Sequence, residues 1–134
     1  MRAMAADVER FGSDNPWEET VGYCRVIRAG DHVHVAGTTA TVDGRVVAAG
    51  DAAEQTRVAL RLVVDALGRA GASIDDVVRT RMFVTNIADW QAIGRVHGEF
   101  FADVRPVATM VEVTALIDPE LLVEIEADAY SPRS

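Results

Sequence analysis

The 134-residue chain is predicted to fold as one α+β unit, a mixed β-sheet with two α-helices on one face. Three observations carry that expectation. Strand-like and helix-like apolar patterns alternate along the chain in the order ββαβαββ. Both helical segments have a single apolar stripe, so each has one side to bury. The last strand, over residues 122–129, is apolar on one face only and acidic on the other, as befits a sheet covered on one side.

The elements follow in order. Residues 1–20 mix charge, Gly, Asn and Pro without a period and read as a loosely held lead-in to a single domain over 21–134. Trp17 in that stretch is open to two readings, a plug on a small core or a functional residue. Residues 24–28 and 32–37 read as two strands joined by a tight Gly30-Asp31 turn, and Asp43-Gly44 marks a second turn before Arg45-Val46-Val47. The clearest helix spans 51–71. Asp51 can cap it with Glu54 completing a capping box, and Gly71 suits a left-handed stop. Its apolar face is Ala59, Leu62, Val63, Ala66, Leu67 and Ala70. Glu54, Arg57, Arg61, Asp65 and Arg69 form the opposite face, an Arg-rich stripe read as solvated rather than as a ligand site. Residues 77–84 are rich in β-branched and apolar side chains and read as a strand with Arg79 and Arg81 to one side. A second helix over about 88–101 puts Trp90, Ile93, His97 and Phe100 together. Pro106 opens a strand through Val113, and Asp118-Pro119 turns the chain into the last strand.

Composition excludes several classes of function. The chain is 49% hydrophobic and 25% charged, with 10 Gly and 4 Pro, a globular composition that needs no metal or disulfide staple. Cys24 is the single cysteine, so there is no intramolecular disulfide and a reducing compartment is the natural reading. The net charge is −8, from 13 basic residues (all Arg) and 21 acidic ones, which argues against a nucleic-acid partner. Apolar runs such as Val33-His34-Val35-Ala36 fall far short of the ~20 residues a membrane span requires. Charges of both signs over residues 1–10 do not resemble a secretory signal, and the expectation is a soluble, cytoplasmic protein.

The last strand is the most informative segment. Glu124, Glu126 and Asp128 sit two apart and point to one face, while Val123, Ile125, Ala127 and Ala129 face the core. A row of acids on a wet face is the plain reading. Like charges that close also raise one another's pKa, as a general acid or base requires. His32, His34 and His97 form no recognised metal-ligand spacing with a Cys or an acid, and no metal is expected. His97, on the apolar side of its helix, reads as a hydrogen-bonded core or interface histidine. There is neither a Gly-rich phosphate loop nor a Gly-x-Ser-x-Gly elbow, and Cys24, without an obvious His partner, reads as an inert, partly buried thiol.

Several short motifs, in order along the chain, together resemble the RidA/YjgF-like (reactive intermediate deaminase) family. They are Gly22-Tyr23, the hairpin 29–37 (AGDHVHVAG), Glu54-Gln55-Thr56 with Ala70-Gly71-Ala72-Ser73, Phe83-Val84-Thr85-Asn86, and Phe100-Phe101. Arg105-Pro106, residues 111–116 (VEVTAL) and residues 123–127 (VEIEA) complete the set. The resemblance covers residues 21–129. It implies a chorismate-mutase-like α+β fold, a homotrimer with a small-molecule cleft between subunits, and hydrolysis of imines and enamines to 2-oxo acids and ammonia without a cofactor. In the family an Arg two places after a Pro grips the substrate carboxylate, a final-strand Glu handles the attacking water, a Tyr near the start lines the cleft, and an Asn of the second helix region contributes.

Carried over by position, Glu124 is the water-handling, catalytic Glu and Tyr23 the cleft Tyr. Cys24 and Arg25 stand where the family has Ser and Gln, and Ala108 stands in place of the carboxylate-gripping Arg; these four are the implied ligand-binding positions. The Asn falls on Gly94, and a Cys carried by some members falls on Met110. Arg105 precedes Pro106 and does not match the clamp. The implied function is therefore an imine or enamine hydrolase with an altered substrate range, not an efficient 2-iminopropionate deaminase, with Arg25 as a replacement positive charge if it faces the cleft. The alternative is a non-catalytic trimer that binds a small metabolite in the same place. A ribonuclease reading is weakened by the charge of −8.

Overall fold

A computed structural model describes residues 7–133. The chain forms β1 (Val8–Phe11), α1 (Trp17–Val21), β2 (Val26–Ala29), β3 (His32–Thr39), β4 (Thr41–Val42), β5 (Arg45–Val46), α2 (Ala52–Arg69), β6 (Val77–Val84), α3 (Trp90–Phe101), β7 (Val107–Glu112) and β8 (Val123–Tyr130). Six strands make one sheet in the order β1-β2-β3-β8-β6-β7, and β4 and β5 make a separate hairpin. All pairings in the large sheet are antiparallel except β6 with β7, so the sheet is mixed, as expected.

Both long helices pack on one face. Leu60, Val63, Leu67, Ile93, Val96 and Phe101 meet Val33, Val35, Met82, Val84, Val123 and Ile125 in a single buried cluster. Truncating a fully buried Leu60 or Ile93 to Ala in such a cluster costs ~2–5 kcal/mol. Among the described residues neither long helix packs on the opposite face of the sheet. There β8 alternates half-buried acids with buried Val123, Ile125, Ala127 and Ala129.

The structure corrects several sequence expectations. The stretch read as a loose lead-in contains β1, paired antiparallel with β2, and the short helix α1; its residues 1–6 lie outside the described residues. Trp17 is 55% exposed and plugs no core. The capping box at Asp51 is only half formed. Asp51 accepts the Glu54 N–H at 3.0 Å, but the Glu54 carboxylate is drawn to Arg57 at 2.6 Å instead of returning to the cap. A complete box forms at Ser73 and Asp76. On α2, Leu60 is the fully buried leucine and Leu62 lies at the margin of the buried face. On α3 the buried residues are Ile93, Val96 and Phe101, with Trp90 left 54% exposed. Gly71 does hold the left-handed position (φ +81°) after α2.

Two buried polar side chains fix the frame. Gln55, fully buried on α2, donates to the Glu120 carbonyl at 2.9 Å and accepts the Leu122 N–H at 2.8 Å, so it anchors the turn that leads into β8. Arg28 on β2 donates to the carbonyls of Ala70, Gly30 and Ser131 and to the Ser131 hydroxyl, stitching β2 to the end of α2 and to the tail. Among the described residues no helix is long and apolar enough to cross a membrane.

Candidate functional site

Glu124 lies on the open face of β8, where Phe83 of β6 and Thr39 of β3 stand directly across from it. Its position depends on an irregularity in β3. The register of β3 with β8 shifts between Val35 and Thr38, and Gly37 sits in that bulge. A Cβ at Gly37 would fall 2.2 Å from the Glu124 Oε2, so the carboxyl group rests on bare backbone that only glycine leaves open.

Tyr23 and Arg25 approach the same place from β2's side. Gly22 ends α1 in the left-handed conformation (φ +89°), and Tyr23 N–H bonds the Glu18 carbonyl at 3.0 Å. Arg25 N–H bonds the Phe11 carbonyl at 2.9 Å, and the Ala36 N–H bonds the Arg25 carbonyl at 3.0 Å. The Arg25 guanidinium lies 5.8 Å from the Tyr23 ring centroid, and its Nη2 donates to the Gly37 carbonyl at 2.7 Å. Gly37 thus touches both charged groups, seating the Glu124 carboxyl on one side and holding Arg25 through its carbonyl.

Burial pushes the Glu124 carboxyl above the ordinary carboxylate range. Nearby Arg25 opposes that shift, and Glu126 adds to it. Like-charge repulsion along the acid row, the cause read from sequence, is therefore secondary. The other two acids have hydrogen-bonding partners. Arg81 reaches Glu126 at 3.1 Å and Asp128 at 3.2 Å, while His34 Nδ1 meets Asp128 at 2.8 Å. The remaining acid, Glu124, is the one whose burial favours the proton-holding form that an acid–base role uses.

Cys24 is partly buried, with its thiol donating to the Val26 carbonyl at 3.7 Å. With Tyr23, Arg10, Glu18, Glu19 and Gly22 it lines an open cavity of about 550 Å³, whose walls include neither Arg25 nor Glu124. Tyr23 belongs to this cavity's wall and also carries the Arg25 guanidinium over its ring. His97 is a packed histidine, its Nε2 2.9 Å from the Thr80 hydroxyl and its ring 4.6 Å from Phe101, and burial lowers its pKa. Among the described residues no group of three or more His, Cys, Asp or Glu side chains could hold a metal ion.

Ala108 is elsewhere. It pairs with Thr80 across the parallel β6–β7 ladder, and Thr80 is buried under α3, so Ala108 lies on the helix-bearing side at the sheet's edge. Glu124 occupies the other side. The chain brings Tyr23 onto Arg25 and both Arg25 and Glu124 onto Gly37, with Cys24 alongside, and does not bring Ala108 to them. Sequence reasoning missed Gly37. An Ala-Gly pair inside a strand of β-branched residues signals a bulge, and that was the available clue.

The family described as endoribonuclease L-PSP matches residues 14–131. The crystal structure of Rv2704 from Mycobacterium tuberculosis, described as a member of the YjgF/YER057c/UK114 family, superposes with a TM-score of 0.84. It is 53% identical in sequence, over 92% of this chain and 98% of that chain. An uncharacterized protein of Streptomyces coelicolor is 44% identical over 123 residues, 92% of each chain. The 3-aminoacrylate deaminase RutC of Acinetobacter baylyi is 36% identical over 109 residues, 81% of this chain and 86% of the relative.

Proposed function

Since this chain belongs to the endoribonuclease L-PSP family, which takes in YjgF and RutC proteins, we propose that it is a small-molecule hydrolase of the imine and enamine deaminase type. The observation that carries this reading is Glu124, a carboxyl group held above its ordinary pKa on a backbone seat at Gly37, beside the cation Arg25. Hydrolysis of an imine adds water to the C=N carbon and expels ammonia, leaving a carbonyl. Glu124 takes a proton from the attacking water and passes it to the nitrogen, then carries the hydroxyl proton of the resulting carbinolamine to the same nitrogen as the C–N bond breaks and the carbonyl forms, so one group serves both steps. An enamine first takes a proton on carbon, which a carboxyl with a raised pKa supplies. RutC, a relative by sequence, is named for deaminating 3-aminoacrylate, itself an enamine. A net charge of −8 counts against RNA as the substrate despite the family's descriptive name.

The active assembly is a homotrimer with its ligand cleft between subunits. Support comes from the uncovered sheet face and from Ala108, which within one chain lies on the wrong side of the sheet to meet Glu124. Across an interface the β7 edge of one subunit can face Tyr23, Arg25 and Glu124 of another. Ala108 offers no charge there, so the substrate range differs from that of relatives with Arg at this position. Light scattering is expected to give three chains per particle, and a stable monomer at micromolar concentration would refute the assembly. The activity is tested by following ammonia release from a panel of short imines and enamines generated in place. Acceleration over the spontaneous rate is expected for at least one. Tight binding without acceleration of any would favour the binding-only trimer.

A further inference from the structure

We infer that the chain binds the phosphate group of a small phosphorylated metabolite at a second site, where the end of α2, the edge strand β1 and the tail after β8 meet. A cavity of about 570 Å³ opens there, walled by Arg28, Arg69, Arg133, Glu9, Phe11 and Gly71 among others. Its volume lies in the ordinary range of small-molecule sites. None of Tyr23, Arg25, Gly37 or Glu124 lines it. β2 starts next to Arg25 and carries Arg28 near its other end, so the two sites lie toward opposite ends of one strand.

Charge is the first argument. The whole chain carries −8, yet this cavity sets three guanidinium groups against one carboxylate, a local excess of two positive charges. Such a spot in an acidic protein attracts a small dianion but not a long polyanion, whose further charges would meet the acidic surface. The second argument is an unspent donor. Arg28 is only 3% exposed, and a guanidinium has five N–H donors. Nε serves the Ala70 carbonyl, Nη1 the carbonyls of Gly30 and Ser131, and Nη2 the Ser131 hydroxyl. One Nη2 hydrogen is left without an acceptor among the described residues. Gly71 stands next to it: a Cβ there would lie 3.5 Å from Nη2, so the cavity wall at that point is bare backbone. Arg69 adds a second guanidinium, 5.8 Å from the Phe11 ring centroid and without an ion pair among the described residues. The ring holds that charge at the cavity without neutralising it. Glu9, the one acid of the wall, accepts from Arg133. A phosphate ester carries close to two negative charges and three terminal oxygens, enough to meet several guanidinium groups at once, whereas a carboxylate offers two oxygens and one charge.

Calorimetric titration of the full chain with glycerol 3-phosphate, inorganic phosphate and glycerol at fixed ionic strength tests this, with ³¹P NMR as a second readout. Glycerol 3-phosphate is expected to bind with a Kd below about 1 mM, at least as tightly as inorganic phosphate, and glycerol not at all. Arg69→Gln and Arg133→Gln should each weaken it on the order of tenfold or more, the scale of a lost charged hydrogen bond. Arg61→Gln makes the same charge change on the same helix, outside the cavity, and should leave binding within about twofold. Glu9→Gln should act in the opposite sense and tighten binding severalfold, because it removes the acid and releases Arg133. A loss of fold cannot produce effects of both signs, and circular dichroism checks each variant. Arg28 is left intact because it staples β2 to α2 and the tail. Glu124→Gln should bind glycerol 3-phosphate as the parent does, so this site stands or falls apart from the proposed chemistry. No saturable binding up to about 10 mM, or equal weakening by Arg61→Gln and Arg69→Gln, would overturn the inference. Inorganic phosphate bound more tightly than the ester would overturn the assignment to a phosphorylated metabolite.

Discussion

Gly37→Ala is the substitution with the most to say about how this site is held. Gly37 does not occupy the left-handed region, so alanine fits the backbone there. The added Cβ would lie 2.2 Å from the Glu124 Oε2 and 3.0 Å from its Cδ. Ordinary contact begins near 3.4 Å, so the carboxyl oxygen must move by about 1.2 Å. The clash is with the end of a flexible side chain, so the fold adjusts cheaply. Stability should change by no more than about 1 kcal/mol, with part of any loss offset by the smaller entropy of the unfolded chain. The reaction should suffer far more. A misplacement of about 1 Å costs on the order of a hundredfold in rate, which corresponds to ~2.7 kcal/mol of barrier. Turnover, urea unfolding and a ¹³C NMR titration of the Glu124 carboxyl together check this. Turnover should fall about a hundredfold with little change in the unfolding midpoint, and the carboxyl pKa should move down toward the ordinary range as the group swings out of its buried seat. Turnover within threefold of the parent, together with an unmoved titration, would refute the idea that Gly37 positions Glu124.

Other expectations rest on different parts of the molecule. Gln55→Leu strands the Leu122 N–H and the Glu120 carbonyl, so urea unfolding should show a loss of about 2–5 kcal/mol, and β8 should lose amide-exchange protection first. Because the folded-state pKa of Glu124 is raised, the folded protein binds more protons than the unfolded chain above the ordinary carboxylate value. Stability therefore falls as pH rises from that value through the folded-state pKa. Glu124→Gln should remove this slope, being the more stable protein at neutral pH and no different in acid, as thermal unfolding against pH would show. Ala108→Arg places a guanidinium at the β7 edge. It should raise kcat/KM on 2-aminoacrylate by about tenfold or more in a pyruvate-release assay, and an unchanged rate would show that position 108 does not face the cleft.

Much of the frame was legible because it rests on local chemistry. The helix at Asp51 showed its cap, its apolar stripe and its glycine stop within one stretch of sequence. The alternation from Val123 to Ala129 assigned the two faces of β8 before any partner strand was known. What escaped depends on contacts between distant segments. Val8–Phe11 has no clear period, because an edge strand gains its place by pairing with β2 rather than by burying one face. The sequence placed the three acids in a row, but the partners of Glu126 and Asp128 are Arg81 from β6 and His34 from β3. Burial of Glu124 against Gly37 depends on a bulge whose register no local pattern specifies. Ala108 could be aligned with a functional position by resemblance, yet only the parallel pairing of β6 with β7 assigns it a side of the sheet.

The most direct test of the proposed chemistry is the rate of ammonia and carbonyl release from an imine or enamine that the protein turns over, compared between the parent chain and Glu124→Gln. The amide keeps the shape and hydrogen-bonding reach of the carboxyl group but cannot take a proton from water. If Glu124 handles the water, the variant should be slower on the order of a hundredfold or more, the usual scale for loss of a general base, while folding and assembling as the parent does. A Glu124→Gln rate within a few fold of the parent's would contradict it.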